Sequence, residues 1–298
     1  MDDRAGLIRR LKKIELTTNA LVEGLQPGLH HSLFKGRGME FAEIREYVPG
    51  DDIRAIDWKV TARYNHPFVR EYTEERDQTF YFVVDISGSG TFGSAVTKQE
   101  KMLEVTAGLA FAALRNNDRI GLCLFSDRVE KFLPARRGKK HLVTILNMLV
   151  DHEPVSKKTD LAAAARFLGN VLRRRSSVVV ISDFAAPDAS SALKVLCRRH
   201  EVIAVRITDP REQELPDVGT VTLEDPETGE QVTVDTSDAA FRTQYAALVA
   251  ESGREIAAGF SRAGIGNVAL MTTDPYDIAL NQFFQGMKRR RRRNGRLL

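Results

Sequence analysis

Short apolar runs alternate along this chain with longer segments whose apolar residues recur at helical spacing. The runs are rich in β-branched and aromatic residues, which is typical of strands buried on both faces of a parallel sheet. They lie at residues 79–84, 119–126, 177–182, 202–207 and 267–271. Helices are predicted at residues 98–115, 139–150, 160–174, 189–199 and 238–263. This alternation predicts an α/β fold: a doubly wound, mostly parallel sheet with helices on both faces.

Two hairpins and a last helix complete the predicted elements. Val129–Leu133 should pair with the strand at 119–126 as an edge hairpin. Residues 218–235 should form a second hairpin that turns at Pro226–Gly229. A final helix is predicted at 277–286.

The chain is expected to divide into three segments. Residues 1–77 form an N-terminal extension, with a basic amphipathic helix at 7–16 and a strand at 67–72 that leads into the central sheet. Residues 78–287 carry the α/β domain, and residues 288–298 form a basic disordered tail.

Polar side chains follow the first buried strand directly. The run from Thr79 ends in Asp85-Ile-Ser87-Gly-Ser89, which offers one carboxylate and two hydroxyls around one point. In open α/β sheets, ligands bind just beyond the carboxyl ends of the strands. Oxygen ligands suit a hard cation such as Mg²⁺. The motif therefore marks a candidate metal position.

Two later segments supply matching oxygens at the same kind of position. Thr159 precedes the predicted helix at 160–174, and Asp183 closes the apolar run at 177–182. Thr159 also suits a helix N-cap, and Asp183 also suits an ordinary turn after a strand. Together with the first motif, the order of these residues favours one shared site over separate structural roles.

This pattern resembles the metal-ion-dependent adhesion site of von Willebrand factor type A domains. The resemblance implies that one divalent ion is held, directly or through water, by Asp85, Ser87, Ser89, Thr159 and Asp183. Since most of these ligands are neutral, an open coordination position should attract a carboxylate from a protein partner. Mg²⁺ or Mn²⁺ is expected, because Ca²⁺ takes more oxygens and Zn²⁺ favours nitrogen or sulfur. Affinity without the partner carboxylate should be weak.

A competing motif overlaps the first one. Gly88-Ser-Gly90-Thr-Phe-Gly93 matches the Gly-x-Gly-x-x-Gly dinucleotide fingerprint. In that fingerprint the helix begins within the glycines, whereas here the helical pattern starts only near Thr97-Lys-Gln-Glu100, which is typical of a capping box. The metal interpretation is therefore favoured over a dinucleotide site.

Charge is concentrated at the C-terminus. The tail contributes seven positive charges to a net charge of +4, so the rest of the chain carries −3, which does not suggest a nucleic-acid-binding domain. The tail could still make weak contact with an anionic surface.

The sequence also predicts a location for the protein. The first residues lack the order of a signal peptide and no apolar run is long enough to span a bilayer, which predicts a cytoplasmic protein. Cys123 and Cys197 lie in apolar runs and fit a reducing compartment.

The segment Gly38–Lys59, together with the site motif that follows it, resembles the bacterial family known as domain of unknown function 58. A polar network beside Trp58 is expected in this segment, with a structural role, from Asp51, Asp52, Arg54, Asp57 and Arg63. Members of the family are similar to proteins encoded beside MoxR-type AAA+ ATPases, which implies an adaptor or chaperone-like role with such an ATPase.

A divalent-metal-dependent protein-interaction module is therefore favoured over an enzyme. Acid–base catalysis needs a positioned group, and the nearest candidates lie at loops or helix ends far along the sequence: His66, His141, His152 and His200. A Mg²⁺-dependent phosphohydrolase that uses the same site is the alternative, because a bound metal ion can itself activate water.

Overall fold

The computed structural model describes residues 40–64, 66–73, 78–185 and 189–275. The helices predicted at 7–16 and 277–286 and the basic tail lie outside the described residues. The described chain forms two compact units, one up to Gln78 and the other from Thr79 onward.

The first unit is built on a two-stranded antiparallel sheet. Strand β1 (Glu40–Glu46) pairs with β2 (Phe68–Thr73), and helix α1 (Trp58–Tyr64) lies between them in sequence after a 3₁₀ turn at Ile53–Ala55. The strand expected at 67–72 therefore forms, but it belongs to this small sheet rather than leading directly into the larger one.

Charged side chains of this unit act mainly through turns and caps. Arg45 binds Asp51 through two hydrogen bonds of 2.7 and 2.9 Å. Asp52 caps the 3₁₀ turn, and Asp57 accepts backbone N–H groups at the start of α1. Trp58, the first residue of α1, is 68% exposed.

A six-stranded sheet forms the centre of the second unit. Its strands in chain order are β3 (Thr79–Asp85), β4 (Arg119–Phe125), β5 (Val129–Arg136), β6 (Ser177–Ser182), β7 (Glu201–Thr208) and β10 (Gly266–Met271). Their spatial order is β10-β7-β6-β3-β4-β5, and all neighbouring pairs are parallel except the antiparallel pair β4 and β5. The predicted edge hairpin is confirmed.

Helices connect the strands of this sheet. They are α2 (Lys98–Arg115), α3 (Lys139–Asp151), α4 (Leu161–Val171), α5 (Ala189–Cys197), α6 (Pro210–Gln213) and α7 (Ala239–Ala263). Strands β8 (Thr220–Glu224) and β9 (Gln231–Asp235) form the separate hairpin that the sequence predicts. The capping box of Thr97 and Glu100 opens α2, as predicted. Among the described helices, none has the length and apolarity to cross a bilayer.

Helices cover both faces of the sheet because successive strand residues point to opposite sides. On one face Tyr81 and Val83 pack with residues of α4, α5 and α7, such as Leu168 and Phe260. Helix α2 contacts β3, β6 and β7, and α3 contacts β4. Each fully buried Val, Leu or Phe contributes about 1.5–3 kcal/mol. The doubly wound, mostly parallel α/β class is confirmed, and the arrangement is consistent with a von Willebrand factor A-like fold.

The strand order places a crevice at the carboxyl ends of β3 and β6. The chain moves from β3 to β4 on one side and later enters β6 on the other side, so the order reverses between β3 and β6. Ligands of open α/β sheets bind at such a reversal. Asp85 ends β3 and Asp183 follows β6, so both carboxylates flank this crevice.

Candidate metal centre

Asp85 is a buried carboxylate at the end of β3. Its side chain accepts the Ser87 amide at 3.0 Å and the Ser182 hydroxyl at 2.6 Å. Burial raises the pKa of Asp85 to about 6, although the Ser182 hydrogen bond opposes this shift, and the charge of Asp183 adds to it. These two donors are neutral and leave the buried charge of the Asp85 carboxylate without a counter-charge. A nearby cation would supply that counter-charge and favour the ionised form of Asp85.

Two hydroxyls lie just beyond Asp85, where the chain turns into a 3₁₀ helix at Gly88–Thr91. The Oγ atoms of Ser87 and Ser89 are 3.2 Å apart. Mg²⁺ holds its ligands at 2.0–2.1 Å in octahedral geometry, so adjacent ligand oxygens are about 3 Å apart. The two hydroxyls therefore fit neighbouring positions around such an ion.

Asp183 lies on the other side of the crevice and is paired with a buried lysine. Lys98 Nζ donates to Asp183 Oδ2 at 2.7 Å and to Glu212 Oε1 at 2.6 Å. Burial opposes both charges, but the ion pair outweighs it, so the pKa of Asp183 is lowered and the pKa of Lys98 is raised. The Ser89 hydroxyl also contributes to the lowered pKa of Asp183. Asp183 is thus ionised and can act on a cation through Ser89 or through water.

The backbone after Asp183 is strained. Phe184 has a φ of 54°, in the left-handed region that bulky residues rarely adopt. Such a residue costs on the order of 1–3 kcal/mol and persists only where its surroundings hold it. Its amide donates to the Ser182 hydroxyl at 3.0 Å, and its buried ring packs edge-on against Phe260. These contacts fix the turn that carries Asp183.

Thr159 enters from a loop that touches the first motif. The amide of Gly88 donates to the carbonyl of Lys157 at 2.8 Å, which joins the two loops. Thr159 is not the cap of α4, because Asp160 holds that position. The Thr159 hydroxyl and amide instead donate to the carboxylate of Glu227, at 2.6 and 3.2 Å.

The structure thus brings four of the five candidates into one crevice and places Thr159 on an adjoining loop. Their role as metal ligands stays a prediction. Within the described ranges, no group of three or more His, Cys, Asp or Glu side chains is arranged to hold a metal ion. A metal here would consequently depend on the serine and threonine hydroxyls.

Three contacting residues escaped the sequence reasoning. Ser182 is the last residue of β6 and directly precedes Asp183, so its place in the sequence could have predicted a side chain near the crevice. Lys98 and Glu227 carry no such signal, because each meets its partner across a long stretch of sequence.

A cavity with both charged and apolar lining residues adjoins this centre. It has a volume of about 650 Å³, and Lys98, Asp183, Arg206, Glu212 and Tyr245 are among its lining residues. The guanidinium of Arg206 donates to the Asp183 carbonyl at 3.3 Å. Charged groups therefore continue from the crevice into this cavity, whose lining also includes the apolar residues Val249 and Ile256 of α7.

Comparisons with known proteins identify relatives of the chain. The family model described as "Protein of unknown function DUF58" matches residues 43–255, a range that includes all five candidate ligands. The chain is similar to "Uncharacterized protein Rv1480" of Mycobacterium tuberculosis (strain ATCC 25618 / H37Rv), with 35% identity over 274 residues, 91% of this chain and 86% of that protein. It is also similar to "Uncharacterized protein YeaD" of Bacillus subtilis (strain 168), with 25% identity over 173 residues, 56% of this chain and 40% of that protein.

Among solved structures, the chain is similar to an aerotolerance-related membrane protein from Bacteroides fragilis NCTC 9343. The TM-score is 0.47 and the sequence identity 17%, and the match covers 71% of this chain and 99% of that one.

Proposed function

This chain belongs to the family described as "Protein of unknown function DUF58", and from that premise we propose that it is a divalent-metal-dependent protein-interaction module. The ion is Mg²⁺ or Mn²⁺, held by the hydroxyls of Ser87, Ser89 and Thr159, with Asp85 and Asp183 acting directly or through water. When bound, the ion supplies an open position that attracts a carboxylate of a partner protein.

One observation carries this proposal: two hydroxyl oxygens lie 3.2 Å apart between two buried carboxylates, where the strand order of the sheet reverses. Without nearby carboxylates, two neutral serine hydroxyls at this distance would be an ordinary feature of a turn. The flanking carboxylates give it the charge that a hard cation requires.

The charges of the crevice also favour an acidic partner. Lys98 and Arg206 together offset the charges of Asp183 and Glu212, so Asp85 is left as a buried negative charge with neutral donors. A divalent cation would more than neutralise Asp85, and the excess positive charge would favour an acid from outside.

The partner class follows from the family resemblance. We expect a MoxR-type AAA+ ATPase that presents an aspartate or glutamate to the site, with this chain as its adaptor or chaperone-like partner.

Calorimetric titration with Mg²⁺ tests the metal centre. The parent protein should bind one ion, and the double variant Ser87→Ala, Ser89→Ala should lose this binding. Ser176→Ala is the matched control, because this buried serine precedes β6 at the opposite end of the strand and bonds the Arg174 carbonyl. Equal Mg²⁺ binding by all three proteins would overturn the assignment.

Co-precipitation with a purified MoxR-type ATPase tests the interaction. The complex should form with Mg²⁺, dissociate in EDTA and fail to form with Asp85→Ala. The same samples should be assayed against a phosphomonoester and nucleotide panel. Mg²⁺-dependent turnover that Asp85→Ala abolishes would overturn the binding module in favour of a phosphohydrolase.

A further inference from the structure

The turn of the β8–β9 hairpin lies against the loops of the candidate metal centre. A Cβ atom on Gly88, the residue between the two serines, would lie 2.6 Å from the Pro226 carbonyl oxygen and 3.1 Å from Cβ of Lys157. Most of the hairpin is exposed, but Pro226 and Glu227 are half-buried. Three chain segments therefore meet at Gly88.

The turn fixes the backbone of Glu227. The carboxylate of Asp225 accepts the amide of Glu227 at 2.8 Å and that of Thr228 at 3.4 Å. The amide of Gly229 donates to the Asp225 carbonyl at 2.8 Å, and its φ of 75° is one that glycine adopts without strain. The hairpin itself therefore holds the backbone of Glu227, and the contacts with Thr159 place its carboxylate.

The carboxylate of Glu227 ends on a candidate metal ligand. It accepts the Thr159 hydroxyl at 2.6 Å, a length typical of a charge-assisted O–H···O⁻ hydrogen bond, and the Thr159 amide at 3.2 Å. An acid that belongs to this chain is thus in contact with a hydroxyl that the proposed function assigns to the metal.

Resting on the proposed function, we propose that Glu227 is an internal ligand of this centre. Its carboxylate takes the position that a partner's acid would take, and the partner binds by displacing the hairpin turn. The site then supplies a third carboxylate in addition to those of Asp85 and Asp183, so Mg²⁺ affinity without a partner exceeds what the other five residues would give. The hairpin also excludes weakly binding carboxylates, since a ligand must outcompete Glu227 to reach the ion.

A purely structural anchor would have the same contacts, and the variant Glu227→Gln separates the two roles. Glutamine keeps the length of the side chain and one oxygen that can accept from the Thr159 hydroxyl, but it lacks the charge and the second oxygen, which accepts the longer bond from the Thr159 amide. Glu230→Gln is the matched control, because Glu230 is an exposed glutamate of the same turn.

The first measurement uses Mg²⁺ alone in calorimetry. Because affinity at such sites follows the number of charged ligands, Glu227→Gln should bind Mg²⁺ about fivefold or more weakly than the parent. Glu230→Gln should stay within about twofold of the parent, since Glu230 is exposed and is assigned no role in the centre.

The second measurement adds a capped pentapeptide with a single central glutamate between glycines, in saturating Mg²⁺. Removal of an internal competitor raises the apparent affinity of an external one. Glu227→Gln should therefore bind the peptide about tenfold more tightly than the parent or Glu230→Gln. In the parent, the peptide should also speed hydrogen exchange at the Glu227 and Thr228 amides.

The outcomes are separable. If the parent binds Mg²⁺ and Glu227→Gln matches it toward both probes, Glu227 is only a structural anchor and this inference fails while the proposed function stands. Weaker Mg²⁺ binding without a gain in peptide affinity overturns the displacement step. Failure of every protein to bind Mg²⁺ overturns the proposed function and the inference with it.

Discussion

Lys98 Nζ lies 2.7 Å from Asp183 Oδ2, so the candidate metal centre has a fixed positive charge behind one of its two carboxylates. The lysine is the first residue of α2, and its ammonium also binds Glu212. The helix that follows the Ser87 motif therefore stabilises the turn that carries Asp183.

Replacing Lys98 with methionine should destabilise the protein, because it leaves the buried Asp183 without its counter-charge. Loss of one partner of a buried ion pair costs about 3–5 kcal/mol. In EDTA the variant should unfold at a markedly lower temperature than the parent. A divalent cation near Asp183 should compensate in part, so Mg²⁺ should raise the melting temperature of Lys98→Met more than that of the parent.

Lys101→Met is the control for this experiment. Lys101 is 3% exposed, compared with 2% for Lys98, and it binds Glu104 and the Asp274 carbonyl instead of the centre. Both variants should lose stability, but only Lys98→Met should recover it with Mg²⁺. Equal recovery would show that the effect of Mg²⁺ is unrelated to Asp183.

Asp85→Asn should stabilise the metal-free protein at neutral pH. The pKa of Asp85 is raised from 3.8 to about 6, so between these values the folded state binds more protons than the unfolded state, and stability falls as the pH rises. A shift of this size corresponds to roughly 3 kcal/mol above pH 6. In EDTA at pH 7.5 the variant should melt several degrees above the parent.

Mg²⁺ should then stabilise the parent and leave Asp85→Asn unchanged, because the amide carries no charge for the ion. Thermal unfolding with and without Mg²⁺ measures both effects. An Asp85→Asn variant that melts below the parent in EDTA would show that the carboxylate stabilises the apo fold.

Much of the fold was predictable because buried parallel strands leave continuous apolar runs in the sequence. The run before Asp85 and the run before Asp183 both marked central strands. Since the carboxyl ends of parallel strands share one edge, the order of these polar residues was enough to predict that they converge. The start of α2 was predictable because its capping box involves only residues close in sequence, Thr97 and Glu100.

Contacts between distant loops were not predictable. Lys98 and Asp183 are 85 residues apart, and Thr159 and Glu227 are 68 residues apart. Each pair depends on how a helix end or a hairpin turn packs in three dimensions, which neither periodicity nor turn chemistry encodes. The exact start of α4 was also not predictable: Thr159 was a candidate N-cap, but Asp160 holds that position.

Glu130 should stabilise the loop that leads to Thr159, and this effect should depend on pH. Its buried carboxylate accepts hydrogen bonds from Ser126 Oγ, His152 Nε2 and the amides of Val155 and Ser156. Burial opposes the charge, but these donors outweigh it and lower the pKa of Glu130. Its stabilisation is therefore complete above the unfolded pKa of about 4.3 and lost as the pH falls through the lower folded value.

Glu130→Gln should accordingly cost about 1–3 kcal/mol at pH 7. The gap in melting temperature between parent and variant should close as the pH is lowered below about 4. Glu153→Gln, which changes an exposed glutamate next to His152, should have little effect at either pH. A gap that persists at low pH would mean that the variant acts through packing rather than through charge.

Two glycines of the same 3₁₀ turn should respond differently to alanine. At Gly88 the added Cβ would lie 2.6 Å from the Pro226 carbonyl oxygen, which is too close for any real contact, so the hairpin turn must move. At Gly90 the nearest atom, Cβ of Gln99, would be 3.4 Å away, an ordinary contact. Gly88→Ala should therefore cost about 1–3 kcal/mol, and Gly90→Ala should stay within about 0.5 kcal/mol of the parent.

Chemical denaturation measures this difference, and hydrogen exchange locates it. Because the hairpin turn is held against Gly88, the alanine variant should exchange the Glu227 and Thr159 amides faster, while Gly90→Ala should keep the parent's rates. If Gly88→Ala were as stable as Gly90→Ala and equally protected, the turn of the β8–β9 hairpin would not be packed on this loop, and the contact between Glu227 and Thr159 would lose its structural support.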